Sequence, residues 1–383
     1  MSDESLVPFH AAVPEADLAD LRARLKQARW PEPQPVDDWS QGVPLAYLQD
    51  LCRYWAETYD WRRVEARLNA LPQYSTVIDG LAIHLVHVRS ARRDALPLLL
   101  THGWPGSVLE YLDVVGPLTD PTAHGGAAED AFQLVVPSLP GYGFSDKPAS
   151  TGWGLERTAH AWAQVMARLG YRRYGAAGSD WGTSISTLLA RQDPAHVAGI
   201  HLVPPLAAPD PSTLDDLTHA EHAALADGER RARTGSAYSE LHRTRPQTLG
   251  YGLLDSPVAL CAWLVEKLWA WTGPESRLSR DQMLDQVTLY WLTGTGASSA
   301  RLYWESIEQV TGWLTEPDCE AVTVPTGCSV FAEEVPRPSR RWAARRFPDI
   351  RYWAEHDRGG HFPALEAPDL LVDDLRAFFR NLR

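Results

Sequence analysis

The sequence predicts an α/β protein in which a mostly parallel sheet is flanked by helices, interrupted by a helical insertion and preceded by an N-terminal extension. Three observations carry the prediction. A strand of small residues at 174–177 runs into Gly178-Ser179-Asp180-Trp181-Gly182 and then a helix-like stretch at 183–191. The apolar run Leu98-Leu99-Leu100 has the character of a strand buried on both faces. Strand signals vanish between about 204 and 314 and return at 322–331 and 350–353, so a helical segment interrupts the sheet.

From the N-terminus, residues 13–30 carry helix-start signals, with Leu18, Leu21 and Leu25 on one face. The Pro-rich stretch 31–35 ends that helix, and a second helical stretch covers 45–70. Short strands follow near 75–78 and 83–87, where the core begins. Pro97 before the apolar run is tolerable only at a strand's first position. Residues 155–169 set Ala159, Trp162, Val165, Met166 and Leu169 at helical spacing, the pattern of a core-facing helix. The insertion is rich in Ala, Leu and Trp, and an amphipathic stretch at 365–382 closes the chain.

Small residues two before and two after a nucleophile let a sharp, strained strand-to-helix turn close. Counted inward from Gly178 and Gly182, the centre is Asp180, and Ser179 is off by one. A carboxylate there points to an alkyl ester formed at an sp³ carbon rather than to the acyl-enzyme of a serine esterase. The plainer alternative is a helix-capping aspartate. The loop after the Leu98 strand, His102-Gly103-Trp104-Pro105, stands where an α/β-hydrolase supplies one oxyanion N–H, and the residue after the nucleophile supplies the other. Those donors are Trp104 and Trp181. Gly359-Gly360-His361 precedes the last helix, where that fold carries its histidine, and the segment 321–331 runs into Glu333 and Glu334. The order nucleophile, acid, histidine is that of the α/β-hydrolase fold.

The chain resembles the microsomal-type epoxide hydrolases along nearly its whole length. The likeness rests on Ala28-Arg29-Trp30-Pro31, Asp38-Trp39-Ser40-Gln41-Gly42, Tyr59-Asp60-Trp61-Arg62, His102-Gly103-Trp104-Pro105, the motif at 137–145, the elbow, the motif at 290–295, Arg301-Leu302-Tyr303 and Arg358-Gly359-Gly360-His361-Phe362. Two positions depart from the family: Ser179 stands where glycine is usual, and Ala332 where proline is usual. The resemblance implies an N-terminal epoxide hydrolase-type segment over 1–90, hydrolase core over 91–204 and 319–383, and a helical cap over 205–318. It implies Asp180 as nucleophile, His361 as base, Glu334 as its acid partner, and Tyr238 and Tyr303 as cap donors that protonate the epoxide oxygen. Trp104 and Trp181, besides their oxyanion N–H groups, join Tyr238 and Tyr303 around the substrate. Glu333 and Asp357 compete with Glu334. His356 competes with His361 but lacks the Gly-Gly approach and is read as a surface residue. No cofactor or metal is implied, and the product is a vicinal diol.

A haloalkane or haloacid dehalogenase would use the same aspartate, but a departing halide calls for N–H donors, whereas an epoxide oxygen becomes an alkoxide and needs O–H acids. A non-enzymatic binding protein on this scaffold would be expected to have lost a catalytic group. Trp263, Trp269, Trp271, Trp291 and Trp304 either line an aromatic pocket for a bulky or aryl epoxide or pack the insertion onto the core. The net charge of −13 over 383 residues disfavours nucleic acid and anionic membranes as partners. The start, Met1-Ser2-Asp3-Glu4, lacks the basic and apolar regions of a signal peptide, and no apolar stretch nears the roughly 18 residues of a membrane span. Cys52, Cys261, Cys319 and Cys328 are scattered, as buried reduced thiols of a cytoplasmic protein would be. The expected partner is a small-molecule epoxide, with room for a homo-oligomer.

Overall fold

A computed structural model describes residues 5–317 and 320–383; Met1 to Glu4 and Cys319 lie outside the described residues. Among the described residues nine strands form one sheet: β1 (Val7–Phe9), β2 (Gln73–Ile78), β3 (Leu81–Val88), β4 (Leu96–Thr101), β5 (Phe132–Pro137), β6 (Tyr174–Ser179), β7 (Val197–Val203), β8 (Thr326–Val330) and β9 (Ile350–Glu355). Their spatial order is β1-β2-β3-β5-β4-β6-β7-β8-β9. The first three strands and the β3–β5 junction pair antiparallel, and every pairing from β5 to β9 is parallel. The chain reverses direction across the sheet between β4 and β6, the kind of switch point where loops at the strands' carboxyl ends open a crevice.

Local chemistry accounts for the elements and for where they depart from the expected bounds. The helical stretch expected over 45–70 is two helices, Leu45–Glu57 and Trp61–Asn69, because the Asp60 carboxylate accepts from the Arg62 N–H and starts the second. Pro97 is the second residue of β4, not the first; pairing to β6 begins only at Leu98, so the missing N–H breaks no ladder on that side. β8 is shorter than the expected 321–331, since Pro325 cannot donate and pairing starts at Thr326. β1, β5 and β7 lie outside the expected strands; β7 holds Gly199 and His201 among its apolar residues. The last helical stretch breaks at Ala367, ahead of Pro368, into Pro363–Glu366 and Pro368–Arg380.

Between β7 and β8 every regular element is helical, from His219–Thr234 through Ala237–Thr244, Pro246–Asp255, Pro257–Ala270 and Arg280–Thr293 to Gly296–Thr315, with short 3₁₀ turns between. The N-terminal helices grip this insertion. Tyr54 Oη donates to Asp281 at 2.8 Å, Trp55 Nε1 to Thr288 Oγ1 at 2.9 Å, and Tyr59 Oη to Asp285 at 2.7 Å. Arg63 reaches the same Asp285 oxygen at 2.6 Å, and Trp39 stacks on Trp269 at 4.0 Å. Among the described residues no single helix is long and apolar enough to cross a membrane. Cys52, Cys261 and Cys328 are buried free thiols.

Asp285 is the acceptor shared by Tyr59 and Arg63 at this seam. Asp285→Ala removes the acceptor shared by the two donors, leaving Arg63 only the more distant Asp281 carboxylate at 3.7 Å, and is expected to cost about 2 kcal/mol, read as a lowered midpoint in urea denaturation. An unshifted midpoint would show that the seam adds nothing to stability.

Candidate active site

The strand-to-helix turn after β6 is closed by glycines that leave no room for a side chain. A Cβ at Gly178 would lie 2.5 Å from the Gly182 carbonyl carbon, and one at Gly182 would lie 1.9 Å from the Thr101 carbonyl oxygen on β4. The two glycines therefore let the helix Trp181–Gln192 start against the neighbouring strand. Asp180 sits between them at φ 52 and ψ −121, a left-handed backbone that non-glycine residues seldom adopt. Thr183 fixes the turn by donating to the Gly178 carbonyl at 2.9 Å and accepting from the Val203 N–H at 3.2 Å. The Asp180 side chain makes no capping bond to its own helix. Its Oδ1 instead accepts from the Trp104 N–H at 2.9 Å, with the Trp181 N–H also on the carboxylate. Asp180 thus occupies the N-cap position without making the usual side-chain cap bond.

The loop that carries Trp104 is braced from several sides. Neutral His102 joins Gly103 O through Nδ1 at 2.9 Å and accepts from the Leu139 N–H at Nε2. Burial depresses its pKa to about 4. Tyr111 Oη donates to Thr101 O and Tyr290 Oη to Gly106 O, both at 2.9 Å. Glu110 caps the following turn by accepting from the Ser107 N–H; burial pushes its carboxyl up to about 8, against the pull of His361.

His361 is buried beside Asp180. Its Nδ1 meets both oxygens of Glu334 at 3.0 Å, and its Nε2 lies 3.3 Å from Asp180 Oδ2 without hydrogen-bond alignment. Burial by itself would lower the imidazole pKa, but Glu334 and then Asp180 outweigh it and raise it to about 10. Burial likewise opposes ionisation of Asp180, yet His361 and the two backbone N–H groups hold its carboxyl below the usual value. The imidazole thus lies in a row between the Asp180 and Glu334 carboxyl groups. Glu333 and Asp357 are exposed, so Glu334 is the carboxylate at the imidazole. His356 is not the surface residue expected: its side chain is largely covered, and Nε2 contacts Asp374 Oδ2 at 2.6 Å, tying it to the last helix.

Tyr238 and Tyr303 come together above Asp180, on the helices Ala237–Thr244 and Gly296–Thr315, with ring centroids 5.7 Å apart. Trp104 stacks on Tyr238 at 5.2 Å, and Trp181 meets Tyr303 edge-on at 4.7 Å. Asp180, Trp181, Tyr238, Tyr303, Glu334 and His361 share one cleft of ≈ 730 Å³. The insertion tryptophans contribute less than expected. Only Trp271 approaches the reactive groups, its ring 4.7 Å from that of His361 and its carbonyl accepting from the His361 N–H at 3.0 Å. Trp263 donates to His242, Trp269 packs on Trp39, Trp291 stands under Arg24, and Trp304 is half exposed. Residues without a sequence signal also shape the site. Glu366 accepts from Gly273 N and Ser276 Oγ of the insertion and from Phe362 N, bolting the histidine loop in place. Arg231 lines the cleft. Among the described residues no group of three His, Cys, Asp or Glu side chains is disposed to hold a metal.

Residues 6–111 match the family model for the epoxide hydrolase N terminus, and 97–362 that for the alpha/beta hydrolase fold. A protein of Stigmatella aurantiaca named "Putative epoxide hydrolase" is 52% identical over 99% of this chain and 86% of its own length. Epoxide hydrolase 1 of Sus scrofa is 34% identical over 98% of this chain and 89% of its own. The structure of Aspergillus niger epoxide hydrolase superposes with a TM-score of 0.89 at 33% identity, over 100% of this chain and 98% of that one.

Glu334 makes the larger of the two upward contributions to the His361 pKa. Glu334→Gln is expected to drop the imidazole from about 10 toward its ordinary value, followed by ¹⁵N NMR of the ring nitrogens. A titration left where it was would mean that Asp180 alone holds the proton on His361.

Proposed function

This chain belongs to the epoxide hydrolase family, and on that premise we propose that it opens its substrate through a covalent ester on Asp180, beneath a cap formed by residues 205–318. The observation that carries the proposal is the position of the Asp180 carboxylate. One oxygen is held by the Trp104 N–H at 2.9 Å, while the other stands 3.3 Å from His361 and opens to the cleft under Tyr238 and Tyr303. A dehalogenase would use the same aspartate, but the relatives matched along the whole chain are epoxide hydrolases.

In the first half-reaction Asp180 Oδ2 attacks an epoxide carbon, the ring C–O bond breaks, and the tyrosine hydroxyls supply the proton that the departing oxygen takes. The product is a hydroxyalkyl ester. Esterification removes the negative charge beside His361, and with it one of the two contributions that raise the imidazole pKa. The ring can then give up its proton and become a base. Alkylation itself prepares the second half-reaction. Neutral His361, oriented by Glu334, takes a proton from water, and the hydroxide adds to the ester carbonyl. The oxygen that becomes an oxyanion is Asp180 Oδ1, already held by the Trp104 N–H, with the Trp181 N–H also acting on the carboxylate. Collapse of the tetrahedral intermediate frees a vicinal diol. The cleft's size favours a bulky epoxide, although few cap tryptophans line it.

In a single turnover in ¹⁸O water the first diol released is expected to carry no label, because its new oxygen comes from Asp180. Label in that diol would mean direct attack by water and would overturn the ester mechanism.

His361→Ala should form the ester but not hydrolyse it, so intact mass should show a protein increased by the mass of one epoxide. Undiminished turnover in this variant would transfer the base role to another group.

A further inference from the structure

Arg231 projects into the cleft from the helix His219–Thr234 without a carboxylate of its own. The acid one turn earlier, Asp227, is engaged by Arg230 and Arg337, and no carboxylate among the described residues stands within ion-pair distance of Arg231. The more distant carboxylates of Glu334 and Asp180, together with Tyr238, favour the charged guanidinium against its burial. Nη1 donates to the Val335 carbonyl, next to Glu334, and the guanidinium lies 5.2 Å from the centroid of Trp271. The chain turns at Gly235 and folds the next helix back, so that Tyr238 lines the same cleft as Arg231 and meets the same Trp271 ring, with ring centroids 5.3 Å apart. Lys267 Nζ stands 4.6 Å from the centroid of the same phenol ring.

Tyr303 has no such neighbour. Its ring is enclosed by Trp104, Trp181, Tyr238 and His242. His242 stays uncharged, its Nε2 accepting from Trp263 Nε1 at 2.9 Å and burial lowering its pKa to about 3. The two hydroxyls therefore sit in unequal fields. A phenol that loses its proton becomes an anion, and a nearby guanidinium is a strong stabiliser of such an anion in a site of low dielectric.

We propose that Tyr238 is the tyrosine that gives its proton to the opened epoxide oxygen, and that Arg231 is the positioning residue that stabilises the phenolate left behind. This rests on the reading of the two tyrosines as the acid pair. The step balances. The Asp180–carbon bond forms as the carbon–oxygen bond of the epoxide breaks, the oxygen takes the Tyr238 proton, and negative charge passes from Asp180 to the Tyr238 oxygen beside Arg231. Tyr303 keeps its proton and holds the substrate oxygen by a hydrogen bond. The phenolate is then neutralised through solvent in the cleft by the proton that His361 releases once Asp180 is esterified, which leaves His361 ready to act as base. Ester hydrolysis returns one proton to His361 and restores the starting state.

The test is the rate of ester formation, measured by quenched flow with intact-mass detection from pH 6 to pH 11, in Arg231→Gln, Arg231→Lys, Tyr238→Phe, Tyr303→Phe and the combinations of each Phe variant with Arg231→Gln. Arg231→Gln is expected to slow ester formation about tenfold or more, and to move its alkaline limb to higher pH because the phenol has lost the charge that favours its anion. Arg231→Lys should recover most of the rate. Combined with Tyr238→Phe, Arg231→Gln should add nothing further, whereas combined with Tyr303→Phe it should keep its full effect. An Arg231→Gln effect of equal size on the Tyr238→Phe background, or an unmoved alkaline limb, would overturn the proposal and leave the tyrosine pair standing. If neither Phe variant slowed ester formation, the acid-pair reading itself would fall.

Discussion

The packing of the elbow against β4 is the constraint on which the site depends. With the Gly182 Cα this close to the Thr101 carbonyl, the helix begins where its first N–H and that of Trp104 can face a single carboxylate. The cost is a left-handed backbone at Asp180, and the hydroxyl of Thr183 and the surrounding strands make that conformation tenable. A larger residue at either glycine would separate helix from strand and dissolve the anion site before any catalytic group was touched.

Around that point the electrostatics are cooperative. Asp180, His361 and Glu334 lie in a row from which water is largely withdrawn, so each charge is acceptable only because of the next. This makes the protonation state of the imidazole a reporter of the chemical state of the aspartate. In the proposed reaction, loss of the Asp180 charge would remove one of the two contributions that hold the proton on His361, without any conformational change.

Much of this was legible in the chain. The elbow, the oxyanion loop and the Gly-Gly-His approach are local signatures, because each depends on backbone room that only particular residues at fixed spacing can supply. The long-range partners were less so. Glu334 could not be told from Glu333 by spacing, and burial of one and exposure of the other decides between them. His356 read as a surface residue because its anchor, Asp374, arrives from a helix 18 positions away. Arg231 and Glu366 gave no sign at all, since a charged residue on a helix ordinarily faces solvent. The strand β7 was overlooked for a related reason: Gly199 and His201 suit a strand whose neighbours press closely, which its own composition does not announce.

The grip of the N-terminal helices on the insertion has a kinetic consequence. Swinging the insertion away from the sheet would break the Trp39–Trp269 stack, the Tyr54, Trp55 and Tyr59 hydrogen bonds and the Arg63 ion pair together. It would also pull the Gly273 and Ser276 donors off Glu366. With these ties intact the insertion keeps its place over the cleft, whose wall includes Ser239, Glu308 and Thr311. Traffic into a cleft of set width sorts molecules by cross-section before any of them reaches the carboxylate. Residues far from the chemistry thus acquire control over throughput.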